Sequence, residues 1–167
     1  MRRREGAAQV PQSARFPHPL KYAVEATPRM VDVAGAGSAR LARSQLWPVL
    51  QDASMYSLTI TDEGMREPHW HPGTAELGYV ATGHARMTVL DPDGSTDTYE
   101  LVEGDAYFVP RAYPHHIENL GGEDLHFLVF FDQPMPADIG YRGSATAVPR
   151  PALQATFGAA RDALPEL

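Results

Sequence analysis

The chain has 167 residues, enough for one domain with a full hydrophobic core. Lys and Arg number 14 against 21 Asp and Glu, a net charge of −7 that argues against nucleic acid as a partner and requires any anion site to be a local one. Cysteine is absent, which removes disulfides, thiolate chemistry and cysteine-bound zinc, and no apolar run reaches the ~18 residues of a membrane span.

The chain opens on the basic Met1-Arg2-Arg3-Arg4, but no apolar stretch follows in AAQVPQSARFP, so a cytoplasmic protein without a membrane partner is expected. Residues 1–20 are rich in Pro, Ala and Arg and lack an apolar period, which predicts an irregular arm covering a sheet edge or a neighbouring subunit. Tyr22–Val33 contains a short strand before the Ala34-Gly35-Ala36-Gly37 turn. Ser38–Trp47 reads as a strand or a short helix, and Pro48 stops it if it is a helix.

From Met55 onward the chain is a series of short β segments: Met55–Thr61, Glu76–Thr82, Ala85–Leu90, Thr96–Leu101, Ala106–Val109, Pro114–Asn119 and Leu125–Phe131. Asp91-Pro92-Asp93-Gly94 is a hairpin turn, because Pro fixes φ and Gly permits its positive values. Strands at this spacing with no helix between them predict an all-β sandwich or barrel. Pro149–Leu164 has helical apolar spacing (Leu153, Phe157, Ala160, Leu164) behind a proline, which predicts a C-terminal helix. The expected division is an arm over 1–20, a β domain over 21–145 and a helical segment over 146–167 packing on it.

The chemistry concentrates in GMREPHWHPGTAELGYVATG, Gly64–Gly83. Residues two apart on a strand share a face, so His69 and His71 present two imidazoles to one side of the sheet. Glu76 follows a Pro72-Gly73-Thr74 turn and returns on the next strand to face them. A second stretch, GDAYFVPRAYPHHIEN (Gly104–Asn119), brings His115 after two proline-marked turns. Three imidazoles and one carboxylate suit a borderline divalent ion such as Mn, Fe, Co, Ni or Zn, and suit Ca or Mg poorly. Four protein ligands leave one or two positions of an octahedral ion open, the mark of a catalytic site.

These two stretches resemble the paired motifs of the cupin superfamily. Gly64, His69-x-His71, Glu76 and Gly83 match the first motif; Gly104, Pro110, His115 and Asn119 match the second, with Ala112 where the pattern has Gly. The resemblance spans Met55–Asp132. Arg66-Glu67-Pro68-His69-Trp70-His71, Tyr107–Pro110, Phe127–Asp132 and the tail from Ala137 resemble the oxalate decarboxylase and germin-like branch. At 167 residues the chain is similar to one half of a two-domain enzyme of that branch. The resemblance implies a jelly-roll barrel, the double-stranded β-helix of cupins, with an N-terminal arm and a C-terminal helix. It implies Mn(II) at His69, His71, Glu76 and His115, with Fe(II), Ni(II) or Zn(II) as alternatives. It also implies a small carboxylate substrate, held by Arg66 through its guanidinium fork, and a homodimer or higher oligomer.

Decarboxylases of this branch use a glutamate to move the proton, on the strand after the second motif or in the loop beyond it. Here Val129 occupies the strand position, the loop Asp132–Pro136 has no glutamate, and Asp132 and Asp138 are the stand-ins. Trp70, Tyr79, Phe108 and Tyr113 are aromatic residues for either pocket lining or barrel filling; Tyr79 and Phe108 are taken as substrate-binding. His18, His84, His116 and His126 are read as structural or surface residues, and Asn119 as a backbone tie. The leading expectation is a metal-dependent decarboxylase or oxidase. The alternatives are a cupin dioxygenase or isomerase with the same metal shell, and a non-catalytic small-molecule-binding or seed-storage-like cupin.

Overall fold

A computed structural model describes residues 18–62 and 64–158; the expected arm over 1–20 lies almost wholly outside them. Among the described residues are a single 3₁₀ turn, Val24–Ala26, and eleven strands. These are β1 Val31–Val33, β2 Gly37–Ala42, β3 Ser54–Ile60, β4 Met65–Trp70, β5 Glu76–Thr82 and β6 His84–Leu90. The rest are β7 Thr96–Val102, β8 Ala106–Val109, β9 His115–Asn119, β10 Leu125–Phe131 and β11 Ile139–Gly140, followed by helices α1 Tyr141–Ala147 and α2 Arg150–Phe157. The ambiguous stretch from Ser38 is strand as far as Ala42 and turns thereafter.

Two antiparallel sheets, in the orders β1-β2-β3-β10-β5-β8 and β11-β4-β9-β6-β7, pack face to face as a jelly roll. The alternation that marked the strands in the sequence is the alternation of burial: in β6, Ala85, Met87 and Val89 are buried between partly exposed neighbours, and in β10, Leu125, Phe127, Val129 and Phe131 point inward. Ile60, Val80, Met87, Ile117, Leu125 and Phe127 are almost wholly removed from water and fill the barrel interior. The glycine that closes the first motif, Gly83, has φ +96° and sits where an added Cβ would meet Leu125 Cα at 3.0 Å, so both backbone conformation and space exclude a larger residue.

Two departures from regular pairing position the site. Between Met65–Arg66 and His69, β4 holds one residue more than its partner β9: Arg66 pairs with Ile117 and His69 with His115. This is a β-bulge at Glu67-Pro68, where proline removes a ladder donor. Cross-strand partners share a face, so Arg66 lies on the same inward face as His69 despite the odd spacing between them. The second departure is Ala112, whose φ of +64° is left-handed; this is the position where the resemblance expects glycine.

The C-terminal region differs from expectation. The helix read over Pro149–Leu164 ends at Phe157, where Gly158 at φ +60° caps it and its N–H bonds to Gln154 O; residues 159–167 lie outside the described chain. A further helix, α1, precedes it and lies against β4, with Tyr141 edge-on to Trp70 at 5.5 Å. Neither helix has a fully buried residue, and much of the segment 146–167 expected to pack on the barrel lies outside the described residues. None of the described helices is long and apolar enough to cross a membrane.

Asp132, at the end of β10, clamps the turn that precedes Glu76. Thr74 Oγ1 donates to it at 2.6 Å, the Ala75 N–H donates at 3.1 Å, and Arg111 pairs with its other oxygen. The Thr74 bond first, then the Arg111 guanidinium, hold its carboxyl below its ordinary value of 3.8, down to about 2. A depressed folded value contributes stability above the unfolded value and loses it as pH falls through the folded one. Asp132→Asn therefore lowers the melting temperature by roughly 2–4 °C at pH 7. Thermal scans should show the gap to wild type closing between pH 4 and pH 2; a gap that persists at pH 2 would refute the clamp.

Candidate metal centre

His69, His71, Glu76 and His115 converge at the end of the barrel where β4 and β10 finish and β5 and β9 begin. All four are buried, with 2–4% of their surface exposed, and one nitrogen or oxygen from each lies within 4.8 Å of the others. Glu76 Oε2 stands 3.0 Å from His71 Nε2 and 3.3 Å from His115 Nε2. Ligands about 2.2 Å from a shared ion lie about 3 Å apart at right angles and about 4.4 Å apart across it, so the spacings suit one divalent ion.

The backbone sets the chemistry of each ring. His69 Nδ1 donates to Glu67 O at 2.8 Å, His71 Nδ1 to Ala137 O at 2.8 Å and His115 Nδ1 to Tyr113 O at 2.9 Å. A carbonyl only accepts, so each Nδ1 carries the hydrogen and each Nε2 presents a lone pair inward. Nε2 of His71 and of His115 is buried and has no hydrogen-bond partner. Orphaned, inward-facing acceptors beside a carboxylate are the arrangement that a cation satisfies. Burial, then the neighbouring His115, push His69 down to about 3, so it is a neutral imidazole at any ordinary pH.

Burial raises the Glu76 carboxyl, but the facing imidazoles of His115 and His71, aided by the Tyr107 hydroxyl, overcome this and hold it below the usual carboxylate range. Tyr107 Oη donates to Glu76 Oε1 at 2.6 Å, leaving Oε2 turned toward the imidazoles. The Tyr107 ring fits because residue 78 is glycine; a Cβ there would lie 2.0 Å from Tyr107 Cε1. Neither Gly78 nor Tyr107 was singled out from the sequence for this role. The strand Ala106–Val109 was legible, but which of Tyr107 and Phe108 faces inward depends on register, and register is set across strands.

Arg66 is three-quarters covered, and its Nη2 pairs with Asp138 Oδ2 at 2.5 Å while Nη1 lies 3.6 Å from Glu67. Asp138 therefore occupies the fork expected to hold a substrate carboxylate. Asp132, the other expected stand-in for the absent glutamate, is committed to its clamp. Val129 is buried, faces inward, and pairs across the sheet with Tyr56 on one side and Gly78 on the other.

Tyr79 and Phe108 stand apart from the site, which corrects their reading as substrate-binding residues. The alternation that carries Glu76, Gly78 and Tyr107 inward carries Leu77, Tyr79 and Phe108 outward, where Tyr79 is 42% and Phe108 59% exposed. Trp70 also faces outward, against α1. His84 pairs with Glu100 and His126 bonds to Ser57 Oγ, both away from the cluster. Asn119 ties backbone, as expected: its amide donates to Ile60, Thr61 and Glu123 carbonyls and accepts from Gly121 N–H.

The chain matches the family described as Cupin over residues 26–163. It is 35% identical over 126 residues to an oxalate decarboxylase of Bacillus subtilis, covering 75% of this chain and 33% of that protein. It is 28% identical over 107 residues to an oxalate oxidase of Triticum aestivum, covering 60% of this chain and 48% of that one. Among solved structures, Bacillus subtilis oxalate decarboxylase, examined for its Mn(II) centres, superposes with a TM-score of 0.81 at 31% identity, over 90% of this chain and 40% of that one. The chain thus spans about a third of the length of the bacterial decarboxylase it matches.

Tyr107→Phe removes the donor that fixes Glu76 while keeping the ring. Loss of such an outer partner weakens metal binding by roughly 10–100-fold. Titration of the purified protein with Mn(II) or Zn(II) checks this, and an unchanged affinity would show that Tyr107 does not orient the ligand.

Proposed function

This chain belongs to the cupin family, and on that premise we propose that it is a metal-dependent enzyme acting on a small carboxylate of the oxalate type, by decarboxylation or oxidation. The observation that carries the proposal is the buried set His69, His71, Glu76 and His115, with each imidazole held as the Nδ1–H form by a backbone carbonyl. Manganese is the proposed ion, supported by the Mn(II) centres of the bacterial decarboxylase similar to this chain. When bound, such an ion supplies Lewis acidity and a redox couple beside the substrate.

The chain's own residues supply binding and orientation. Arg66 takes the substrate carboxylate with its guanidinium fork, in exchange for the Asp138 carboxylate that it holds in the resting protein. Asp138, so released, is a carboxylate free to move a proton as carbon dioxide leaves. Phe131, edge-on to His71 at 4.9 Å, and Val129 keep that side of the pocket apolar. One observation favours a second reading, a cupin dioxygenase or isomerase with the same metal set: the interior position at Val129 carries an aliphatic side chain with no proton to give.

Assembly is a separate element of the proposal. Leu77, Tyr79, Phe108 and Phe130 form a continuous exposed apolar strip, because Phe130 pairs with Leu77 and Leu77 with Phe108 across adjacent strands. We propose that a second copy of the chain covers this strip. Phe108→Glu should convert the dimer to a monomer in light scattering; a wild-type monomer would refute it.

The enzyme reading is tested by loading the protein with Mn(II), measuring metal content by mass spectrometry, and assaying oxalate for formate, carbon dioxide and peroxide. Turnover is expected, with Arg66→Gln lowering kcat/KM by roughly 10–100-fold, the value of a charge-assisted pair. Full metal occupancy with no turnover would overturn the enzyme reading and favour a binding protein.

A further inference from the structure

A second guanidinium reaches the same end of the barrel as the metal group. Arg43 follows β2, and the segment after β10 is fastened beside it: the Ser44 N–H donates to Pro134 O at 3.2 Å, and Ser54 Oγ donates to Gln133 O at 2.7 Å. That segment also carries Ala137, whose carbonyl holds His71, and Asp138, which pairs with Arg66. Arg43, Arg66 and the metal group therefore border one loop.

Arg43 Nε is buried and has no hydrogen-bond partner, and among the described residues the Arg43 side chain pairs with no carboxylate. Arg43 as a whole is half-buried, but its Nε is removed from water without an acceptor, and an anionic ligand would supply one. Beside its guanidinium stands the phenol of Tyr56. Tyr56 lies on β3, packs against the barrel interior and pairs across the sheet with Val129. Its ring meets Phe131 edge-on at 5.0 Å, and Phe131 meets His71 at 4.9 Å, so the phenol is one aromatic ring removed from a metal ligand. The charges of Arg43, Asp138 and Arg66 all bear on its hydroxyl.

We propose that Arg43 and Tyr56 form a second anion-recognising subsite, and that the substrate is a dicarboxylate with one end at Arg66 and the metal and the other at Arg43 and Tyr56. The inference rests on the reading of Arg66 as a carboxylate anchor and adds the substrate's second end. Arg66 enters the resting state already holding an internal carboxylate, whereas Arg43 holds none, so the two anchors differ: one exchanges anions and the other awaits one. The phenol adds a donor suited to a carboxylate oxygen.

The test is calorimetric titration of the Mn(II)-loaded full chain under argon with oxalate, malonate and succinate, each against the monocarboxylate of equal carbon number. Wild type should bind at least one dicarboxylate about tenfold or more tighter than its monocarboxylate partner, the value of one added charge-assisted contact. Arg43→Gln should abolish the preference while leaving the monocarboxylate affinity and the metal content unchanged; Arg66→Gln should weaken both ligands. Tyr56→Phe should reduce the preference a few-fold, and it decides the matter if Arg43→Gln does not fold. A preference that survives in these variants, or wild type with none, overturns this inference and leaves Arg66 standing if Arg66→Gln still weakens binding. An effect of Arg43→Gln without one from Arg66→Gln overturns the Arg66 reading, and with it the placement of the substrate's first end, and binding of no carboxylate overturns both.

Discussion

Three backbone carbonyls decide what this barrel can hold. Glu67, Ala137 and Tyr113 each accept from the Nδ1–H of an imidazole, and in doing so fix both the tautomer and the direction of His69, His71 and His115. The three carbonyls come from a bulge, a loop and a turn, places where the regular ladder leaves an acceptor unused. The irregularities of the sheet and the order of the metal group are therefore one feature. Glu76 is held in the same manner from the other side, by a tyrosine whose ring exists at that spot because residue 78 has no side chain.

Charge is arranged around this group in layers. The inner layer is three imidazoles and one carboxylate, a set that suits a divalent cation. The outer layer is cationic but partly masked, with Arg66 on Asp138 and Arg43 unmasked. A chain with a net charge of −7 repels anions at long range, so a local concentration of guanidinium at the pocket is the physical means by which it would hold a carboxylate.

Much of the fold and the metal group was legible in the sequence because both rest on local periodicity. Alternation gave the strands from Met55 onward, and ligand chemistry gave His69, His71, Glu76 and His115. Facing was harder. Tyr79 and Phe108 were placed in a pocket although they cover the outside of the sheet, and Tyr107, one residue from Phe108, went without a role although it touches Glu76. A strand's period of two leaves that choice open until its partners are known. Arg43 and Tyr56 were invisible for a different reason: they lie before the motifs, and only the pairing of β3 with β10 and the course of the segment after Phe131 bring them to the site. The described part of the C-terminal helix ends at Phe157 because Gly158 adopts the left-handed conformation, which apolar spacing alone does not reveal.

The bulge at Glu67-Pro68 separates the candidate metal ligands from the proposed carboxylate anchor. The metal ligands all fall on its far side, and Arg66 alone falls on its near side. A one-residue change in chain length at that point would turn the arginine to the outer surface and leave every ligand, and every carbonyl that aims one except that of Glu67, in register. The proposed carboxylate anchor and the metal ligands are in that sense set on different segments of the same strand, joined by the one carbonyl, that of Glu67, which lies in the bulge.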